Sequence, residues 1–160
     1  MKILIIGTDT SGARLLMNGI SEQGYEYLEN PFKIKKHENN WFNIEKNFVT
    51  NKFVVKLITN QKPLSIPSYF TFMSQFISQF DKIILLDKIK KNNESQKIKH
   101  HKESLEKISK MINTPITLYE NLFSNNTLEQ FEVINTLGLD LDSFELQSYL
   151  DPNNKKGSVL

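Results

Sequence analysis

Gly7 and Gly12 enclose Thr8, Asp9, Thr10 and Ser11 in the spacing GxxxxG, directly after an apolar run. A loop of this kind opening a helix gathers backbone N–H groups at the helix N-terminus, which attracts phosphate or sulfate. Ser11 adds a hydroxyl donor, and Arg14 adds a guanidinium fork suited to an oxyanion. The same glycines also suit a plain strand-to-helix turn, and Arg14 an outward position on the helix. The nucleotide-hydrolase form of the loop continues with Lys and then a hydroxyl residue, for the terminal phosphates and for Mg²⁺. Ala13 and Arg14 stand there instead, which disfavours an ordinary ATPase or GTPase.

A proton-transfer role needs a group poised near neutral pH, and His37 is one candidate. Glu22, Glu26 and Glu29 are carboxylate alternatives. Lys88, Lys90 and Lys91 follow an apolar run and are expected to border a ligand crevice. His100 and His101 sit among Lys97, Lys99 and Lys102. Adjacent histidines on a helix point about 100° apart and make no metal pair, so this segment reads as a solvated face. The run Tyr69, Phe70, Phe72, Phe76 and Phe80 has the spacing of a helix packed on a sheet, so it reads as core.

The elements that must position these groups alternate along the chain. Strands are expected at 2–6, 53–59, 82–86 and 115–119, each a short apolar run rich in β-branched residues. Helices are expected at about 13–20, stopped near Gly24, and at 69–80 after a loop holding Pro63 and Pro67. Two more are expected at 94–112 and 127–137, the last closed by Gly138. The apolar stripe of the third helix runs through Ile98, Leu105, Ile108, Met111 and Ile112. Residues 25–51 form a polar, aromatic-studded connection with no readable pattern, and 151–160 a polar tail. The pattern predicts one α/β domain over 1–160, a three-layer parallel sheet flanked by helices, with ligands at the carboxyl ends of the strands.

With 160 residues an independent core is feasible. The net charge of +2 is too small to argue for nucleic acid or a membrane surface. Lys, Asn and Ile are abundant and Arg nearly absent, a bias that suits an AT-rich genome better than a chemical role. Cysteine is absent, which removes disulfides and thiol chemistry and is compatible with a reducing compartment. No stretch approaches about 20 apolar residues, so a cytoplasmic protein is expected.

Read as Ile5-Ile6-Gly7-Thr8-Asp9-Thr10-Ser11-Gly12-Ala13-Arg14-Leu15-Leu16, the loop resembles the sulfotransferase pattern more than the Walker type. Ser11-Gly12 and Leu16 carry the match. Val54-Val55-Lys56 is similar to that family's second strand with its lysine. Ile83-Ile84-Leu85-Leu86-Asp87-Lys88, followed by Ser95, resembles the strand whose end supplies a basic residue and a serine to a nucleotide 3′-phosphate. Leu118-Tyr119-Glu120-Asn121-Leu122, with Leu137-Gly138-Leu139 later, resembles the Tyr-Glu-Asp-Leu segment and the following helix. Lys155-Lys156-Gly157 resembles the basic segment that closes over the nucleotide, though a frayed tail suits it as well.

The resemblance implies a P-loop-type fold and transfer of a sulfuryl group from 3′-phosphoadenosine 5′-phosphosulfate to a hydroxyl or amine acceptor, without a metal. It implies that Gly7, Thr10, Ser11, Gly12, Ala13 and Arg14 cradle the phosphosulfate, while Lys88 and Ser95 hold the 3′-phosphate. Thr10 stands where the family has a basic residue, so Arg14 or Lys56 must supply the cation beside the bridging oxygen, with His37 as base. The alternatives are a catalytically inactive nucleotide-binding or regulatory module and a divergent nucleotide or small-molecule kinase.

Overall fold

The computed structural model describes residues 1–8, 11–29, 41–59, 66–88 and 95–122, together with 128, 134 and 135. Lys2–Gly7 forms β1, and Ala13–Ser21 the helix α1. Glu26–Glu29 (β2), a 3-10 helix at Trp41–Asn47 and Phe53–Ile58 (β3) follow. Ile66–Ile77 forms α2, Lys82–Asp87 β4, and Gln96–Ile112 α3. Ile116–Leu118 (β5) and a single turn at Tyr119–Leu122 (α4) complete the described elements.

All five strands run parallel in the order β2-β3-β1-β4-β5. Because successive side chains on a strand point to opposite faces, β1 divides its apolar run between two cores. Ile3 and Ile5 meet Ala13, Leu15, Leu16, Met17 and Ile20 of α1, together with Val54, Ile84 and Leu86. Leu4 and Ile6 meet Ile44 of the 3-10 helix, Met73, Phe76 and Ile77 of α2, and Leu105 and Ile108 of α3. Both faces of the sheet are therefore covered, which is why its strands read as continuous apolar runs. Truncating a fully buried member such as Leu16 to Ala should cost about 2–5 kcal/mol.

The expected α/β class and all four expected strands are present. Four details differ. Residues 25–51, read as patternless, hold β2 and the 3-10 helix; β2 has only four residues and half-buried side chains, too short for a period to show. Pro67 lies within the first turn of α2, where a missing N–H costs nothing. Met111 is exposed, whereas His101 is buried and takes the stripe position between Ile98 and Leu105. Tyr119 starts α4 and is not part of the last strand. Of the expected helix at 127–137, only 128, 134 and 135 fall among the described residues, and all three are helical.

Candidate functional site

The strand order places a topological switch point between β1 and β4. From β1 the chain passes over one face through α1 toward β2; from β4 it passes over the other through α3 toward β5. The crevice between two such departures, at the carboxyl ends of the strands, is where ligands of open parallel sheets bind. Gly7 and Thr8 lie at the end of one of these strands, and Asp87 and Lys88 at the end of the other.

Gly12 is the N-cap of α1, with φ 82°, a left-handed conformation that glycine adopts without strain. It offers no side chain to the first turn of the helix, and that turn carries no acidic residue. The first N–H groups of a helix have no partner within it, and among the described residues no side chain caps the positive end of α1. The Ser11 N–H donates to the Thr8 carbonyl at 3.3 Å. The Ser11 side chain is packed onto Gly7, where a β-carbon would overlap the hydroxyl. That hydroxyl is buried, with the residue 1% exposed, and has no hydrogen-bond partner among the described residues. A buried hydroxyl without a partner costs free energy, and an oxyanion at the loop would accept from it.

The two cations expected to serve the transfer, Arg14 and Lys56, are brought together, but on an internal carboxylate. Lys56 points from β3 toward the α1 face, 1% exposed, and donates to Glu29 Oε1 at 2.5 Å. Arg14 Nε donates to the same oxygen at 2.8 Å. The sheet register makes this meeting possible, since Glu29 of β2 lies directly beside Lys56 of β3. Burial pushes the Glu29 carboxyl up, and the hydrogen bonds and charges of Lys56 and Arg14 more than reverse it, leaving it below its ordinary 4.5. Glu29 is thus a carboxylate at neutral pH whose Oε1 is already taken by two cations, which makes it a weak base. Glu26, also weighed as a base, accepts from the Val49 and Thr50 N–H groups and the Thr50 hydroxyl, which hold it below 4.5 as well.

At the end of β4, Asp87 Oδ1 accepts from the Thr8 hydroxyl at 2.8 Å, the Lys88 N–H at 2.7 Å and Lys102 Nζ at 3.1 Å. Lys102 also donates to the Lys88 carbonyl at 2.5 Å. The Lys88 ammonium lies over the Tyr119 ring, 4.4 Å from its centroid, a cation–π contact beside the crevice. Ser95 is the N-cap of α3, its hydroxyl accepting from the Ile98 N–H at 3.3 Å. Ala13 is buried in the first turn of α1. Thr10, His37, Lys90, Lys91 and the 151–160 tail lie outside the described residues.

Thr8, Asp87 and Lys102 were not among the residues singled out for the site, and His101–Lys102 was read as solvated. A signal existed. The stripe of α3 needs a residue between Ile98 and Leu105, and helical spacing allows only positions 101 and 102 to approach the sheet.

No protein-family model, curated protein or solved structure matches this chain. Among the described residues, no helix is long and apolar enough to cross a membrane, and no cluster of three His, Cys, Asp or Glu could hold a metal ion.

Proposed function

We propose that this chain is a sulfotransferase-like, P-loop-type protein that binds a 3′-phosphorylated adenine nucleotide at the loop between β1 and α1. The observation that carries the reading is the buried Ser11 hydroxyl, without a partner among the described residues, at the N-terminus of α1 and at the switch point of a parallel sheet. The same combination supplies what a phosphosulfate group needs from a protein: N–H and O–H donors on a backbone that can approach closely. The residues present fit the anionic end of such a nucleotide.

Bound there, 3′-phosphoadenosine 5′-phosphosulfate would bring an activated sulfuryl group. In this reading Gly7, Ser11, Gly12 and Ala13 hold the anionic end through the backbone and the Ser11 hydroxyl. Arg14 steadies it with its guanidinium. Lys88 and Ser95 are assigned to the 3′-phosphate, Lys56 to charge developing on the leaving phosphate, Thr10 to the loop and His37 to the acceptor's proton. The acceptor is a hydroxyl or an amine.

A second reading, an inactive nucleotide-binding module, is favoured by one specific contact. Arg14 and Lys56 already satisfy Glu29, so neither cation is available to a transition state unless Glu29 is displaced. A thermal-shift panel separates these readings from a kinase. Adenosine 3′,5′-bisphosphate at about 100 times its dissociation constant should stabilise the fold by about 2.7 kcal/mol. Stabilisation by ATP with Mg²⁺ and not by the bisphosphate would replace the reading with the kinase. Release of bisphosphate from the sulfated donor in the presence of an acceptor would distinguish the enzyme from the module.

A further inference from the structure

We infer that Lys102, on α3, is the cation that meets the nucleotide's phosphate at the switch point. The inference rests on the nucleotide-binding reading above and adds a residue to it. Arg14 and Lys56 meet Glu29 on the β2–β3 side of β1, whereas Lys102 meets Asp87 on β4, the other neighbour of β1, and the Lys88 ammonium is drawn over Tyr119. Lys102 reaches the crevice from the opposite face of the sheet and ends at the carboxyl end of β4.

Its position relative to the glycine loop follows from shared bonds. Thr8 Oγ1 and Lys102 Nζ both donate to Asp87 Oδ1, at 2.8 and 3.1 Å, so the ammonium lies within about 6 Å of the loop hydroxyl. An anion seated beside Thr8 would therefore feel that charge where water is displaced. The side chain is only 14% exposed and has two anchors, so little rotamer entropy remains to be lost when a ligand arrives. Asp87 sets the geometry: its carboxylate holds Thr8, the Lys88 N–H and Lys102 on one oxygen. This arrangement makes Lys102 a fixed donor, unlike a lysine that waves from a loop.

The alternative is that Lys102 merely neutralises Asp87. Calorimetric titration of adenosine 3′,5′-bisphosphate into wild type, Lys102→Met and Asp87→Asn/Lys102→Met decides between them. The double variant removes both charges together, so no carboxylate is left buried and unpaired, and it serves where Lys102→Met alone fails to fold. With Asp87→Asn alone titrated as the reference, the inference expects Lys102→Met to bind at least about tenfold more weakly than wild type and the double variant at least about tenfold more weakly than Asp87→Asn, the loss of one charge-assisted contact. Equal affinity of Asp87→Asn and the double variant would overturn it and leave Lys102 as Asp87's counterion. Failure of wild type itself to bind the bisphosphate would instead remove the nucleotide reading, and this assignment with it.

Discussion

Lys56 and Glu29 are neighbours in register on adjacent parallel strands, and the ammonium of one lies 2.5 Å from the carboxylate of the other, which Arg14 shares. A lysine 1% exposed at the centre of a sheet is costly unless its charge is met. Glu29 meets it while remaining at the margin, on the edge strand and about one-third exposed. The arrangement gives β2 a reason to pair with β3 that its four residues alone would not supply.

Removing only the carboxylate should therefore be worse than removing the ammonium. Glu29→Ala strands Lys56 and is expected to lower stability by about 1–3 kcal/mol in urea denaturation. Lys56→Met, which replaces the charge with an apolar chain of similar length, should fall within about 1 kcal/mol of wild type or exceed it. The reverse order would mean that Glu29 and Lys56 contribute separately.

Acid should weaken the fold through the same pair. The Glu29 carboxyl lies below 4.5 in the folded chain and returns to that value when unfolded, so the unfolded state takes up protons first. Its contribution is whole above about 4.5 and is lost as the pH falls through the folded value. Glu26 acts in the same direction. Stability measured from pH 6 to 3 should fall less steeply in Glu29→Gln than in wild type, and equal slopes would show that Glu29 is not the group responsible.

If Glu29 holds the two cations against an incoming anion, neutralising it should help the ligand. Glu29→Gln is predicted to bind adenosine 3′,5′-bisphosphate several-fold more tightly, roughly 1 kcal/mol, with Arg14→Ala reversing the gain. Weaker binding in Glu29→Gln would indicate that the carboxylate orients Arg14 for the ligand instead of competing with it.

The loop makes a structural prediction that needs no ligand. A β-carbon on Gly7 would overlap the Ser11 hydroxyl and come within 3.1 Å of the Ala13 β-carbon. Gly7→Ala should therefore cost about 1–3 kcal/mol in thermal or chemical denaturation, and Gly7→Ala/Ser11→Ala should recover much of it. No recovery would place the strain at Ala13.

The core of the fold was legible because β1, β3 and β4 are covered on both faces, and runs such as Ile3-Leu4-Ile5-Ile6 have no polar alternation to confuse them. The strand ending at Gly7 and the helix opening after Gly12 were legible for a related reason, since glycine closes one apolar run and precedes the next. The hydrogen-bond network around Asp87 was not. Nothing in the spacing of Thr8, Asp87 and Lys102 shows that a crossover brings β4 beside β1, and a lysine on a lysine-rich helix looks like any other until its neighbours are placed. Arg14 and Lys56 were read as alternative sources of one cation, not as neighbours. Their shared partner Glu29 was hidden because β2 had no visible period.

The most direct test of the proposed nucleotide site is a calorimetric comparison of adenosine 3′,5′-bisphosphate with adenosine 5′-monophosphate in wild type, Gly12→Asp and Lys88→Ala. The account predicts that wild type prefers the bisphosphate by about 1.5–3 kcal/mol, the worth of a charge-assisted contact to the 3′-phosphate. Lys88→Ala should erase that preference, and Gly12→Asp should abolish binding of both nucleotides while the protein stays folded. Equal affinity of wild type for the two nucleotides, or unchanged affinity in Gly12→Asp, would contradict it.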